Sequence, residues 1–568
     1  MGRTMWFSVG KKAVLFFTLL AAALLIGSAA TAGERAKNVI VLIADGCSDE
    51  QYTFARWFKG RPLSFDPIRV GAVKTYVTDS VIADSAPAAS AFATGVRTSD
   101  KFISVGPHEK TLPGVPKPDP ELQYRPLATV LQGARLMGKA TGIVATSRVT
   151  HATPAAYIAH VPSRDMEDEI MEQAVHQNVD VVFGGGKRHL LPKETKGTRA
   201  DGEDLTAELR SRGYQTVETR EELLKLQEGR VFGMFASSHM DAEIDRPRLH
   251  PSQPTLEEMT RKAIEILSKD PQGFFLMVEG SQIDWACHAN DPAHLLSDML
   301  AYDQAVQAAL DFARKDGKTL VLALSDHNTG GFSIGNYATD KTYSQLNTEE
   351  FLAPFRKMNA SAFAVWQKLG EDRSPSRLMK EIKEGWGMDI TEEDARSILS
   401  QAEKYKKEKL PEYYALGRIL SGKYTYVGWS THGHNGGDVP LHAFGPGRPT
   451  GVVEGPEIGT LCAEVMGLDL RKLTERLFVE AGQAFGVGGV AIDKRDPQNP
   501  VAVIPHKGKT AELPVNKNWL FFDGKAYRLE GPVVYAAKTD KVYIPMQAVN
   551  KIKGASQALP SITAGQAN

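Results

Sequence analysis

The chain has 568 residues, of which 42% are hydrophobic and 24% charged, and its formal net charge is −1. This length and composition support a large core and more than one domain. The balance of charge gives no indication of nucleic-acid binding. Three cysteines leave at least one thiol unpaired whatever the fold, and we expect all three to be buried free thiols.

The N-terminal residues 1–32 are typical of a secretory signal peptide. Three basic residues, the last of them Lys12, precede an apolar run over residues 13–26, and the small residues 30–32 follow. We therefore expect an exported protein, periplasmic or extracellular, whose mature chain begins near Gly33. An uncleaved membrane anchor is the alternative, and no later stretch is long and apolar enough to span a membrane.

The first predicted strand is the apolar run 38–44, which is followed by Asp45. Further on, Asp84 and Ser85 precede a run of small residues that is typical of a tightly packed helix. Ser85 then lies at the helix start, where unpaired backbone N–H groups attract anions. A serine in this position is often an ordinary N-cap, so its interpretation depends on the rest of the chain.

Strands and helices alternate through the middle of the chain. Apolar runs predict strands at 70–77, 140–145, 179–183, 274–278 and 319–325. A helix with apolar residues at helical spacing follows His288 and ends before Gly317. This alternation predicts an α/β fold of three layers, in which a mostly parallel central sheet has helices on both faces.

Acids and histidines follow two of these strands and recur later in the chain. Glu279, Asp284 and His288 follow 274–278, Asp326 and His327 follow 319–325, and His432 and His434 precede the apolar run 439–444. In open α/β sheets, ligands bind outside the carboxyl ends of strands. Carboxylate with imidazole favours zinc, whereas carboxylate with hydroxyl oxygen favours magnesium. A single acid at a strand end is often only a turn former, but several such groups favour a metal-dependent site.

Two regions depart from the alternating pattern. Residues 328–428 contain charged, helical stretches and are expected to form a helical insertion or cap. One helix is predicted over 470–485. Beyond it, short β-type runs separated by glycine and proline predict a small β-rich module over 486–554, with a role in anchoring, packing or binding. The tail 555–568 is expected to be disordered.

Several motifs occur together in one order. They are Asp-Gly at 45–46, Asp-Ser-Ala at 84–86, His-Ala-Thr-Pro at 151–154, His-Val-Pro-Ser-Arg at 160–164, Glu-Gly-x-x-Ile-Asp-x-x-x-His at 279–288, Asp-His at 326–327 and Gly-His-x-Gly at 433–436. In these motifs the chain resembles, over residues 36–480, the bacterial alkaline phosphatase family, which is zinc-dependent and uses a serine nucleophile. The resemblance implies a catalytic domain over 33–485 that hydrolyses phosphate monoesters and releases inorganic phosphate. It also implies a homodimer, since the family is commonly dimeric.

The resemblance gives each site residue a role. Ser85 would be the nucleophile that forms a phosphoserine, and Arg164 would bind two oxygens of the phosphate. The metal ligands it implies are Asp284, His288 and His434 for one zinc, Asp45, Asp326 and His327 for a second zinc, and Asp45, Thr153 and Glu279 for a magnesium. Asp84 either orients Arg164 or caps the helix start.

Two positions where members of the family differ bear on the third metal. His151 stands where some relatives have Asp, and Trp285 stands where some have Lys and others His. Magnesium prefers oxygen ligands, whereas imidazole suits zinc or cobalt. We therefore expect a third site that binds magnesium weakly or takes a softer ion.

Other ligand assignments stay open at this point. His432 competes with His434, although the register of the motif favours His434, and Cys287 is a further candidate zinc ligand. His160 and His442 are interpreted as structural or surface residues.

The function has two alternatives to a phosphomonoesterase. One is a phosphodiesterase or sulfatase of the same superfamily, and the other is an inactive relative that binds metal or phosphate. Arg164 argues against diesters, which have one fewer free phosphate oxygen. The modified Cys or Ser motif of sulfatases is absent. Against an inactive relative, every residue that the family needs for catalysis is present.

Overall fold

The computed structural model describes residues 35–486, 488–554 and 558–564. The predicted signal peptide over 1–32 lies outside the described residues. Among the residues that are described, no helix combines the length and the apolar character needed to cross a lipid bilayer.

Ten strands of the described chain form one central sheet. They are β1 (Asn38–Ala44), β2 (Arg69–Lys74), β3 (Ala140–Arg148), β4 (Val181–Gly185), β5 (Gln215–Val217), β6 (Val231–Ala236), β7 (Phe274–Gly280), β8 (Thr319–Leu324), β9 (Val439–Phe444) and β10 (Gly451–Glu454). Their order across the sheet is β10-β2-β9-β8-β1-β7-β3-β4-β6-β5. β9 is antiparallel to both of its neighbours, and the other strands run in one direction. The predicted mostly parallel sheet is confirmed.

The core lies on both faces of this sheet. Along β1, Val39 and Val41 belong to one apolar cluster, and Ile40 and Leu42 belong to the other. A strand covered on both faces buries every residue, so its sequence is apolar without alternation. Helices that contribute to both clusters complete the three layers, and the fold expected from the sequence is confirmed.

Helices account for most of the remaining regular structure. The α-helices of the described chain are Asp49–Lys59, Ser85–Thr94, Val130–Leu136, Ala152–Ile158, Glu167–His176, Leu205–Ser211, Arg220–Lys225, Arg246–Leu249, Leu256–Leu267, Gln282–His288, Pro292–Asp316, Thr348–Leu352, Ala362–Leu369, Pro375–Trp386, Glu392–Lys407, Tyr414–Tyr424, Gly455–Met466, Leu470–Leu477, Ala481–Phe485 and Met546–Lys553. The helices at 49–59, 256–267 and 292–316 cover one face of the sheet. Those at 85–94, 130–136 and 455–466 cover the other face.

Residues 328–428 are largely helical and add to the core on the first face. Short antiparallel pairs join the start of this segment, which we call the cap, to its end and to the residues that follow it. Phe332–Ile334 pairs with Val427–Trp429, and Asn328–Thr329 pairs with His434–Asn435. The chain therefore leaves the end of β8 and returns to it, which brings His434 beside the residues that follow β8.

Small antiparallel sheets follow the central fold. The strands Ala491–Asp493, Val501–His506, Lys509–Pro514, Trp519–Phe522 and Lys525–Arg528 form a five-stranded sheet, and Val479–Glu480, Lys541–Ile544 and Val534–Ala536 form a three-stranded one. The prediction of one helix over 470–485 is wrong. That segment forms a helix to Leu477, a strand over Val479–Glu480 and a second helix from Ala481, because strand pairing to Lys541–Ile544 overrides the local helical pattern.

Part of the C-terminal tail lies against the main domain. Thr563 pairs with Leu468, and Ile562 is only 5% exposed. The expectation of disorder from Ala555 is therefore wrong for residues 558–564, which gain a buried apolar contact. Residues 555–557 and 565–568 lie outside the described residues.

Candidate active site

Three neighbouring strands carry the acids and histidine at one edge of the sheet. Parallel pairing places Ile43 of β1 beside Glu279 of β7 and Leu324 of β8. Asp45 and Asp326 follow the ends of β1 and β8. The carboxylates thus gather at the carboxyl ends of β8, β1 and β7, as the rule for open α/β sheets predicts.

Ser85 is the first residue of the helix Ser85–Thr94 and is 1% exposed. Its Oγ lies 3.0 Å from His327 Nε2 and 3.4 Å from Asp45 Oδ1. The Asp84 side chain does not cap this helix; it accepts a hydrogen bond from Arg164 Nη1. Of the two roles left open for Asp84, the geometry supports the orientation of Arg164.

A first group of ligand-type residues comprises Asp284, His288 and His434. The helix Gln282–His288 places Asp284 and His288 one turn apart, with Asp284 Oδ2 3.2 Å from His288 Nε2. His434 Nε2 lies 3.8 Å from Asp284 Oδ1. His434 Nδ1 donates to Ala83 O at 2.9 Å, and His288 Nδ1 donates to His432 O. These bonds turn both Nε2 atoms toward the carboxylate, as in histidine ligands of metals.

His432 faces away from this group. Its Nδ1 donates to His288 O at 2.6 Å, and its Nε2 lies 2.8 Å from the Tyr405 hydroxyl. Both ring nitrogens are therefore occupied, and His434 is the histidine that the structure brings to Asp284.

A second group comprises Asp45, Asp326 and His327. His327 Nε2 lies 3.4 Å from Asp45 Oδ1 and 3.5 Å from Asp326 Oδ2. Thr329 Oγ1 donates to Asp284 Oδ1 at 2.6 Å and lies 3.2 Å from His327 Nδ1. This threonine links the first two groups and orients a residue of each.

A third group comprises Asp45, His151 and Glu279. Glu279 Oε2 accepts a hydrogen bond from Ser147 Oγ at 3.0 Å. His151 Nε2 lies 2.8 Å from Arg164 Nη2, so the same histidine borders the third group and the arginine.

Several buried side-chain atoms of the predicted ligands have no hydrogen-bond partner among the described residues. Asp45 Oδ2, Asp326 Oδ2, Glu279 Oε1, Thr153 Oγ1 and His151 Nδ1 are buried without a hydrogen-bond partner in the described chain. A buried polar atom without a partner is costly, and such atoms are few in native proteins. Asp45, His151 and Glu279 offer ligand atoms within 4.8 Å of one another, and so do Asp45, Asp326 and His327, so bound cations would satisfy the unpartnered atoms.

The electrostatics of the site agree with this fit. Burial, together with the neighbouring carboxylates, raises the pKa of Asp45 well above its ordinary value. Burial likewise raises the pKa of Asp326 to about 6 and that of Glu279 to about 7. Burial alone would also raise the pKa of Asp284, but His288 and the other histidines hold it well below its ordinary value. Positive charge in the site would stabilise all four ionised carboxylates.

Gly46 is a position where only glycine fits. Its φ is +69°, and a Cβ there would lie 2.6 Å from both Asp284 Oδ1 and Thr329 Oγ1. L-residues with side chains rarely adopt this backbone conformation. The turn after β1 can therefore pass directly beneath the first group.

Comparison with known proteins places the chain in a family. The sequence profile described as alkaline phosphatase matches residues 36–468. The chain belongs to the alkaline phosphatase family. The resemblance seen in the motifs is thereby confirmed, and the protein is an enzyme of the phosphate monoester hydrolase type.

Relatives align over most of this alkaline phosphatase. Alkaline phosphatase 3 of Bacillus subtilis is 35% identical over 444 residues, which cover 74% of this chain and 87% of the relative. The crystal structure of Thermus thermophilus alkaline phosphatase matches with a TM-score of 0.67 at 28% identity. The match covers 77% of this chain and 93% of the Thermus chain. A third structure is a His-to-Asp mutant of the alkaline phosphatase from the Antarctic bacterium TAB5, with Mg bound in the M3 site. It has a TM-score of 0.53 at 27% identity, and the match covers 76% of this chain and 99% of the mutant chain.

Thr329, described above, and His239 are residues near the site that the sequence did not indicate. The His239 ring lies 4.0 Å from the Trp285 ring, between centroids, and Trp285 lies 5.3 Å from His151. His239 also interacts with Arg148 through both ring nitrogens. His239 follows the end of β6 (Val231–Ala236), a strand that the sequence pattern did not predict.

The remaining histidines and cysteines have structural surroundings. His160 lies 2.9 Å from Gln132 Nε2, and His442 Nδ1 donates to Ala323 O at 3.3 Å; both histidines are buried. Cys47, Cys287 and Cys462 are buried free thiols, as expected. Among the described residues, Cys287 belongs to no ligand group, and its Sγ accepts a hydrogen bond from Gln51 Nε2 at 3.6 Å.

Proposed function

We propose that this alkaline phosphatase hydrolyses phosphate monoesters through a phosphoserine on Ser85, in a site with two zinc ions and a third cation. The observation that carries the proposal is the position of Ser85. Its hydroxyl is buried at a helix start, 3.0 Å from His327 Nε2 and 3.4 Å from Asp45 Oδ1. Ser85 is also not an N-cap, because Asp84 occupies that position and Ser85 is the first residue inside the helix.

The proposed ligands follow the first two groups, and in the third group Thr153, whose Oγ1 is buried without a hydrogen-bond partner in the described part of the chain, takes the place of His151. Asp284, His288 and His434 would hold one zinc, Asp45, Asp326 and His327 the other, and Asp45, Thr153 and Glu279 the third cation. When bound, such cations act as Lewis acids that activate a hydroxyl group and stabilise oxygens that gain charge.

The residues of the chain itself bind and orient the phosphate. Backbone N–H groups at the start of Ser85–Thr94 point toward an anion at Ser85. Asp84 and His151 hold Arg164 by its two terminal nitrogens. Burial alone would lower the pKa of Arg164, but Asp84 raises it, so the guanidinium stays charged. Its planar fork suits the free oxygens of a monoester better than those of a diester.

The third cation is proposed to differ from that of relatives with Asp at the position of His151. A neutral imidazole supplies no charge to orient water around magnesium. Burial lowers the pKa of His151 well below its ordinary value, and Arg164 adds to this, so the ring is neutral. The TAB5 mutant combines a His-to-Asp change with bound Mg, which supports the same relation here.

We further propose that the protein is exported. The charged, apolar and small-residue segments of 1–32 support this proposal.

Trapping the phosphorylated enzyme tests the mechanism. The protein is incubated with a monoester, quenched in acid and digested, and the phosphopeptides are identified by mass spectrometry. We expect phosphate on Ser85, none in Ser85→Ala, and normal zinc content in that variant. Ser90→Ala is the matched control, because Ser90 lies in the same helix and its Oγ donates to Phe102 O and accepts from Ser104 N. Phosphate on any other residue would contradict the assignment.

A further inference from the structure

Two exposed apolar side chains lie on the loop that leads to the proposed nucleophile. Val81 is 68% exposed and Ile82 is 41% exposed. Among the large apolar residues that are exposed in the described part of the chain, they are the one pair adjacent in sequence. Single exposed apolar residues are ordinary, whereas a contiguous apolar surface beside a functional site indicates a contact.

The loop holds this pair in a fixed conformation. Val77 N donates to Ser80 O at 3.0 Å, and Ser80 Oγ donates to Ile82 O at 2.7 Å and accepts from Ile82 N at 3.2 Å. Val77 and Ala83, on either side, are buried in a small apolar cluster. Both exposed side chains are β-branched and have few χ1 rotamers. A ligand that contacts them therefore restricts little additional motion.

The pair borders the opening of the site. His434 Nδ1 donates to the carbonyl of the residue after Ile82, and a Cβ on Gly436 would lie 3.4 Å from Val81 O and 3.7 Å from Ile82 Cγ1. Ser85 is 1% exposed, whereas the His434 side chain is 17% exposed. A phosphoryl group at Ser85 would lie inside the protein, and the rest of the ester would pass His434 toward solvent.

We propose that Val81 and Ile82 bind the alcohol part of the substrate, so that the enzyme prefers monoesters whose alcohol carries an aromatic or bulky apolar group. The inference rests on the proposed function, because it assumes a phosphoryl group at Ser85. An apolar alcohol would cover both side chains and remove apolar surface from water on both partners. A polyol would cover the same surface without this gain. Contact that persists in the transition state raises kcat/KM for the apolar ester.

The test compares two esters with alkyl leaving groups, 2-phenylethyl phosphate and glycerol 3-phosphate. In Val81→Ser/Ile82→Ser we expect the ratio of their kcat/KM values to fall about five-fold, with glycerol 3-phosphate unchanged. Val81→Thr/Ile82→Thr keeps the branched shape and should give an intermediate ratio. Val452→Ser is the matched control, because Val452 is 58% exposed on the edge strand β10. That control should leave the ratio unchanged.

The outcomes separate this inference from the proposed function. An unchanged ratio in the double serine variant, or an equal fall for both esters, would overturn the substrate preference alone. Loss of a wild-type dimer in the double serine variant, measured by light scattering, would also overturn it by assigning the pair to an interface between copies. If the wild-type holoenzyme hydrolysed neither ester, both proposals would be wrong.

Discussion

Replacing Arg164 by alanine removes the guanidinium that Asp84 and His151 hold near the helix start at Ser85. Within the described site, Arg164 Nη1 bonds to Asp84 and Nη2 lies 2.8 Å from His151 Nε2, and the side chain is 19% exposed. Two effects are expected. The substrate phosphate loses its bidentate partner, and the Asp84 carboxylate loses the cation that balances it.

The size of the first effect follows from hydrogen bonds to charged groups, which contribute about 1.5–3 kcal/mol each. Two such bonds at the lower value amount to about 3 kcal/mol, or roughly 100-fold in kcat/KM for a monoester. A diester offers one fewer free oxygen, so about one bond is lost and the decrease should be about ten-fold or less. Inhibition by inorganic phosphate should weaken together with monoester turnover.

The second effect is separated by a double variant. Burial alone would raise the pKa of Asp84, but Arg164 holds it below its ordinary value, so the carboxylate is charged. In Arg164→Ala that charge would repel the phosphate. Arg164→Ala/Asp84→Asn removes it and should recover several-fold of the lost monoester activity.

The assay measures kcat/KM for a monoester, for the methyl diester of the same alcohol, and the inhibition constant of phosphate. Equal losses for monoester and diester would remove Arg164 from the proposed role. No recovery in the double variant would show that the unpaired Asp84 contributes nothing.

Further predictions concern the third cation, the turn after β1 and the dependence of stability on pH. His151→Asp should bind magnesium at least ten-fold more tightly than wild type, which calorimetry on metal-stripped protein refilled with zinc would measure; equal affinities would show that His151 does not tune this site. Gly46→Ala should lower bound zinc and reduce thermal stability, because its Cβ would lie 2.6 Å from Asp284 Oδ1 at a φ of +69°; full zinc content by elemental analysis would contradict this reasoning. Burial raises the pKa of Asp291 from 3.8 to about 7, so its folded form binds a proton that the unfolded form releases, and its contribution to stability falls as pH rises from about 4 to 7. The free energy of unfolding of Asp291→Asn, measured by urea titration, should therefore rise relative to that of wild type over this pH range, by up to about 1.4 kcal/mol per pH unit. A difference between the two proteins that does not change with pH would refute the raised pKa of Asp291.

The central sheet could be predicted because its strands are buried on both faces. Residues 39–44 and 320–324 are continuously apolar, and the acids that follow them lie at the predicted edge of the sheet. The pairing of Asp284 with His288 followed from helical spacing alone. At these positions, the local sequence pattern is enough to predict where the residue lies in the fold.

Other features depend on contacts between distant residues. The break of the predicted 470–485 helix results from pairing with Lys541–Ile544, which no local pattern shows. The role of Thr329 depends on its bond to Asp284, 45 residues away in sequence, and His239 reaches the site from the end of β6. The choice of His434 over His432 likewise rests on bonds to Ala83 and Tyr405 that lie far away in sequence.

The antiparallel pairs that join the two ends of the cap have an evolutionary consequence. Asn328–Thr329 and His434–Asn435 are held together by main-chain bonds, so the excursion between them begins and ends at one place. Lengthening such a closed excursion costs little additional entropy. Segments of different size could therefore be exchanged at this point while His327 and His434 keep their separation. The junction is a natural insertion point where new substrate-facing surfaces can arise without rebuilding the reactive centre.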